Sequence, residues 1–132
     1  MQINPRILRR IIFGVTATVF TVIAVASILW PQAMAEPMGY QLNSTNALSE
    51  FRAIYVGLWL IHALFFVYAA KNIDNVLIGD VCGLLIFGQV IGRVVSLVLD
   101  GAPSFVMWPM AIVELIGAVL IFVTRPKLSS NS

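Results

Sequence analysis

The feature that most constrains this sequence is an apolar run from Ile11 to Trp30 without a single charge, followed by three more runs of similar length. In lipid every backbone N–H and C=O must be satisfied inside the segment, so a run of roughly 20 apolar residues is stable only as a spanning helix. The 132 residues leave room for about four such passes and little else. Apolar residues make up 60% of the chain and charged residues 11%, with a mean hydropathy of +0.95, outside the range of soluble domains. The expected fold is all-α: a polytopic membrane protein, an antiparallel bundle of four transmembrane helices forming a single domain over residues 1–132.

Arg6, Arg9 and Arg10 precede the first run and Pro31 stops it. Ala33-Met34-Ala35 fits the small-x-small pattern of a signal-peptidase site. Signal peptides, however, use an apolar stretch of about 7 to 15 residues, and the longer run here predicts a retained helix. The second run ends at Lys71, a tight turn follows with Asn72, Asp74 and Asn75, and Asp100-Gly101-Ala102-Pro103-Ser104 separates the third run from the fourth. Helices are predicted over 7–30, 50–71, 76–99 and 104–124, with an outer loop at 31–49 whose Pro, Gly, Asn and Ser content favours turns. Pro109 falls early in the last helix, where proline is tolerated.

Four antiparallel passes gather Arg6, Arg9, Arg10, Lys71, Arg125 and Lys127 at one end, while residues 31–49 and 100–104 contain no Lys or Arg. By the positive-inside rule both termini are expected in the cytoplasm. The net charge of +2 is spread over segment ends and forms no patch, so no nucleic-acid partner is implied. A lone cysteine, Cys82, lies in an apolar run and reads as core. Gly79 with Gly83, and Gly88 with Gly92, form two small-xxx-small pairs that point in nearly opposite directions at about 100° per residue. The third helix is therefore expected to pack closely on two sides, with homodimerisation through one pair as the alternative.

A charge near the bilayer centre costs about 2.5 to 3.5 kcal/mol and needs a partner or a wet cavity. Counted from the turn at 100–104, Arg93 lies about 10 Å deep in the third helix and Glu114 about 16 Å deep in the fourth, at ~1.5 Å per residue. Arginine is long enough to close that gap, so the two are expected to pair. On the third helix Gln89, Arg93, Ser96 and Asp100 recur at helical spacing, as do Arg52, Tyr55, Trp59 and His62 on the second. Facing each other, these stripes would enclose a polar cleft open to the outer side, with Arg52 answering Asp100 and Glu50 at its mouth and His62 at its floor. The bland reading is that buried ion pairs only fix helix register and that a lone histidine packs.

Glu50-Phe51-Arg52-Ala53-Ile54-Tyr55-Val56-Gly57, then Gly92-Arg93-Val94-Val95-Ser96-Leu97-Val98-Leu99-Asp100-Gly101-Ala102-Pro103-Ser104, and Glu114 in the last helix together resemble the bacterial membrane family known as domain of unknown function DUF4345. The resemblance covers nearly the whole chain. It implies a four-helix protein of the bacterial cytoplasmic (inner) membrane, points to Glu50, Arg52, Tyr55, Arg93, Ser96, Asp100 and Glu114, and brings no activity with it.

One histidine and one cysteine are too few for a multi-histidine metal site or a thiolate cluster, and no phosphate loop or Ser-His-Asp set can be assembled. No cofactor or metal is implied. The favoured reading is non-enzymatic: an accessory subunit, or a small binding protein for a lipid or other amphiphile, whose partners are the lipid bilayer, a lipid ligand, and a membrane protein or second copy. The alternative is a small proton-coupled transporter or membrane enzyme using His62, Arg93 and Glu114.

Overall fold

The computed structural model describes residues 4–126; Lys127 lies outside them. Helix α1 covers Pro5–Leu29, opened by the Asn4 side chain, which accepts from the Arg6 N–H at 2.9 Å, and by a proline whose φ is preset for a first turn. Pro31 cannot extend it. The chain turns instead into a short helix, α2 (Pro31–Ala35), a 3-10 turn at Glu36–Met38 and a left-handed Gly39 with φ +77°. Helix α3 (Thr45–Lys71) starts where the Ser44 hydroxyl accepts from the Ala47 N–H at 3.1 Å. Helix α4 (Val76–Leu99) is capped likewise by Asn75 on the Ile78 N–H, and α5 (Phe105–Val123) begins with a 3-10 turn before Pro109.

There is no strand among the described residues. Four of the helices are long and apolar enough to cross a membrane, and the chain is an integral membrane protein with an all-α bundle fold. Two details differ from the sequence expectation. Residues 31–49 are not a plain loop but carry α2, the 3-10 turn and the first turn of α3, because Pro31 and Ser44 each start a helix. Helix α3 also widens at Ala53–Leu58 into a π-helical segment, in which the Trp59 N–H reaches back to the Ile54 carbonyl.

Helix α1 packs along α3, and α4 along α5. The buried face of α1 is a single helical stripe, Arg9, Phe13, Ala17, Phe20, Ala24 and Ser27. Phe13 and Phe20 meet Phe66 of α3 with ring centroids 5.9 and 5.7 Å apart. Ala63, Cys82, Ile86, Ala118 and Ile121 complete the core between the two pairs. Small residues dominate this list because in lipid close van der Waals packing, not exclusion of water, holds helices together.

The core cluster shared by the two pairs lies toward the end that holds both chain termini, while Ala24, Ser27, Ala35 and Phe51 are buried at the other end, outside that cluster. On α4 the buried residues are Gly79, Cys82, Gly83 and Ile86, all in its first half; on α5 they are Ala118 and Ile121, in its last third. Ion pairs Arg6–Asp74 and Arg125–Asp80, at 2.5 and 2.7 Å, tie the ends of α1 and α5 to the α3–α4 hairpin at this terminal end. The opposite, distal half of the α4–α5 pair thus buries no residue against α1 and α3, which leaves a wedge-like opening at that end.

The glycine pairs divide along the same line. A Cβ on Gly79 would meet the side chains of Arg9 and Phe13 of α1, and one on Gly83 would meet Phe122 and Ile121 of α5, so this pair faces tightly packed neighbours. A Cβ on Gly88 or Gly92 would meet nothing within 4 Å. The close approach expected on two sides of the third helix is thus formed on the Gly79–Gly83 side, and the Gly88–Gly92 face is uncovered within this chain. Gly92→Ala is accordingly expected to raise stability by about 0.5–1 kcal/mol through reduced backbone entropy of the unfolded chain. Unfolding titrations in mixed micelles measure this, and a loss would show that the face is covered.

Candidate functional site

In the distal half of the bundle one polar contact stands out. Arg93 of α4 grips Glu114 of α5 through two parallel bonds, Nε to Oε2 at 2.5 Å and Nη2 to Oε1 at 2.7 Å. The geometry is the fork-to-fork one that makes arginine–carboxylate pairs strong and directional. This is the pairing that the depth argument predicts. Glu114 is 17% exposed and Arg93 33%, so the guanidinium stands at the edge of the helix pair with the carboxylate behind it. Its Nη1 forms no hydrogen bond with any described residue and is not sealed from the surroundings. A net-neutral pair with unused donors results.

The other wall is aromatic. Phe51 stacks on Tyr55 at 4.6 Å, Tyr55 leans on Trp59 at 5.3 Å and on Tyr40 of the distal connection at 6.3 Å, and Trp59 meets Phe20 edge-on at 5.1 Å. A column of rings therefore descends from the distal surface along α3 toward Phe20 of α1.

Not every residue of the two stripes is brought together. Asp100, the C-cap of α4, accepts from the Ser96 hydroxyl at 3.0 Å, and Arg52 and Glu50 are exposed and form no ion pair. The expected Arg52–Asp100 and Arg52–Glu50 contacts are thus absent. His62 is 7% exposed and packs on the Phe20 ring of α1 at 5.6 Å, its Nδ1 without a partner; it faces α1 and is not a floor to the wedge. The physical reason lies in the π segment. One extra residue in a helical turn rotates everything after it by about 100°, so Arg52 before Ala53–Leu58 and His62 after it no longer share a face. Gln89 is half-buried beside Arg93 but without a hydrogen bond.

Arg9 is the charged residue whose position sequence reasoning missed. Taken as a topology signal, it is in fact fully buried: Nη1 donates to the Ile121 carbonyl at 2.7 Å, the guanidinium carbon lies 5.0 Å from the Phe13 ring centroid, and Nε and Nη2 lack partners. Ile121 is among the last residues of α5, whose carbonyls have no donor within the helix and whose end carries the negative pole of the dipole. Arg9 caps that end. The signal was available, since Arg9 continues the stripe Phe13, Ala17, Phe20, Ala24 back by one turn.

Among the described residues no group of three His, Cys, Asp or Glu side chains is placed to hold a metal ion. No curated protein and no solved structure matches the chain. The pattern of the domain of unknown function DUF4345 matches residues 8–124, a stretch that contains all four long helices' cores, the Arg93–Glu114 pair and the aromatic column. The chain belongs to the DUF4345 family.

Proposed function

We infer that this protein is a non-enzymatic membrane component that holds a lipid or similar amphiphile in the distal wedge, as an accessory subunit or a small binding protein. The observation that carries the reading is the placement of Arg93 and Glu114: a satisfied ion pair with spare donors, in the distal half of the α4–α5 pair, where neither helix has a buried residue. An ion pair serving only as register lock would be best placed in the packed half, where relaxation is smallest. At the edge of a wedge it presents N–H groups to an acceptor oxygen, while the Phe51–Tyr55–Trp59 column offers apolar surface to a chain.

Arg6, Arg10, Lys71 and Arg125 at the terminal end support an orientation with both termini cytoplasmic, so that the wedge opens to the outer leaflet of the inner membrane. The proton-handling alternative needs His62 beside Arg93 and Glu114, and His62 on Phe20 gives it no support.

The reading is tested by photocrosslinking with a phospholipid carrying a diazirine in its acyl chain, in nanodiscs, with labelled peptides mapped by mass spectrometry. Labelling concentrated on residues 51–59 and 89–93, and reduced at least about threefold in the Arg93→Leu/Glu114→Leu double variant, is expected. Uniform labelling of all exposed helix faces would identify ordinary boundary lipid and end the proposal.

A further inference from the structure

A second groove lies at the other end of the molecule, between α1 and α3, with a volume of about 640 Å³. Arg10 and Lys71 stand at its mouth, and Gly14, Thr18 and Val22 of α1 carry it inward against Val67 and Ala70 of α3. From Arg10 to Val22 is about 18 Å at ~1.5 Å per residue, close to the depth of one leaflet of a ~30 Å core. The hydroxyls along this wall are already used: Thr18 donates to the Gly14 carbonyl at 2.9 Å and Thr21 to the Ala17 carbonyl at 2.8 Å. What they leave facing the groove is apolar.

The charges at the mouth are free in a way that their neighbours are not. Among the described basic residues at the terminal end, Arg6 is paired with Asp74, Arg125 with Asp80, and Arg9 is buried against the α5 carbonyls. Arg10 and Lys71 alone are exposed there without an acid. Arg10 is also oriented. Its Nε donates to the Ala70 carbonyl at 3.2 Å, a carbonyl in the last turn of α3 that no helical N–H reaches, which lays the guanidinium across the groove with both terminal nitrogens uncommitted.

We propose that this groove is a binding site for an anionic phospholipid of the leaflet at the terminal end, its phosphate between Arg10 and Lys71 and one acyl chain along Gly14, Thr18 and Val22. Charge complementarity selects the occupant: two unpaired cations at headgroup depth over a groove one leaflet deep match a negative headgroup on an acyl chain, and basic pockets between helix ends are where such headgroups bind. The site is separate from the distal wedge, and neither depends on the other.

The test is native mass spectrometry of the full chain released from nanodiscs of phosphatidylcholine containing one-fifth phosphatidylglycerol. Preferential retention of phosphatidylglycerol is expected. It should fall about 30-fold in Arg10→Gln/Lys71→Gln, each cation being worth about a factor of five. A Gly14→Leu variant fills the groove without touching either cation, and because a Cβ there meets nothing within 4 Å the helix tolerates it; retention should fall in this variant as well. Glycerol phosphate, which has the headgroup charge but no chain, should not compete. Equal retention of the two lipids, unchanged retention in either variant, or displacement by glycerol phosphate would overturn the proposal. Arg93→Leu/Glu114→Leu should leave this retention intact, so that failure at one end is distinguishable from failure at the other.

Discussion

Glu114→Leu is expected to destabilise the protein by about 2–3 kcal/mol, and adding Arg93→Leu to recover most of the loss. Removing one partner of a buried pair strands the other charge at a cost of about 3–5 kcal/mol, whereas replacing both with apolar residues is often neutral or better. The lower figure applies here because Arg93 is 33% exposed and a long side chain can snorkel toward the distal surface, about 10 Å away. Arg93→Lys should rescue poorly, since a point charge cannot form both bonds of the fork. Unfolding by SDS in bicelles reads these three variants and Arg93→Leu alone. A double variant whose loss equals the sum of the Glu114→Leu and Arg93→Leu losses would mean that the two residues act independently, and the case for an organised site in the wedge would go with it.

Gly79→Ala is expected to cost about 3 kcal/mol, a large effect for one methyl group. The added carbon would lie 1.8 Å from Nη2 of Arg9, 3.0 Å from its Cζ and 3.4 Å from Cζ of Phe13. An arginine end normally swings aside at little cost. This one is fully buried and bound to the Ile121 carbonyl, so moving it breaks the cap of α5 and leaves a cation with no acceptor. In an Arg9→Ala background the same substitution should cost less than about 1 kcal/mol, because the obstruction is gone; such coupling is what a double-mutant cycle isolates. Equal costs in the two backgrounds would place the strain elsewhere. Set beside the gain expected for Gly92→Ala, the contrast separates a glycine that faces packed neighbours from one that faces open space.

Most of the architecture was readable because membrane spans are set by runs of residues, and runs survive any error of detail. The Asn72–Asn75 turn and the stop at Pro31 depend on local chemistry that sits in the sequence beside its effect, whereas the helix start at Ser44 lies in a stretch that reads as loop. The Arg93–Glu114 contact was readable for a different reason: two opposite charges at similar depth on adjacent antiparallel helices have few other partners. What escaped was phase. The π segment at Ala53–Leu58 is a property of the backbone with no single residue that announces it, and it carries His62 away from the face where regular 3.6-residue counting puts it. Arg9 was lost to a rule of thumb, since a basic residue before an apolar run reads as an interfacial anchor even when it lies on the core stripe. Gly88 and Gly92 meet no neighbour within this chain, because a motif states what approach is possible and not which helix supplies it.

The uneven burial has a mechanical side. Helix α4 has 24 residues and is about 36 Å long; it is bound to α5 as far as the Arg93–Glu114 fork, so the two move together as a lever whose buried residues are gathered near one end. Each degree of rotation about the fixed end displaces the free tip by about 0.6 Å while the tightly packed base hardly stirs. The gap between the helix pairs is thus the softest dimension of the molecule, and its width responds first to whatever presses on or fills the membrane around it.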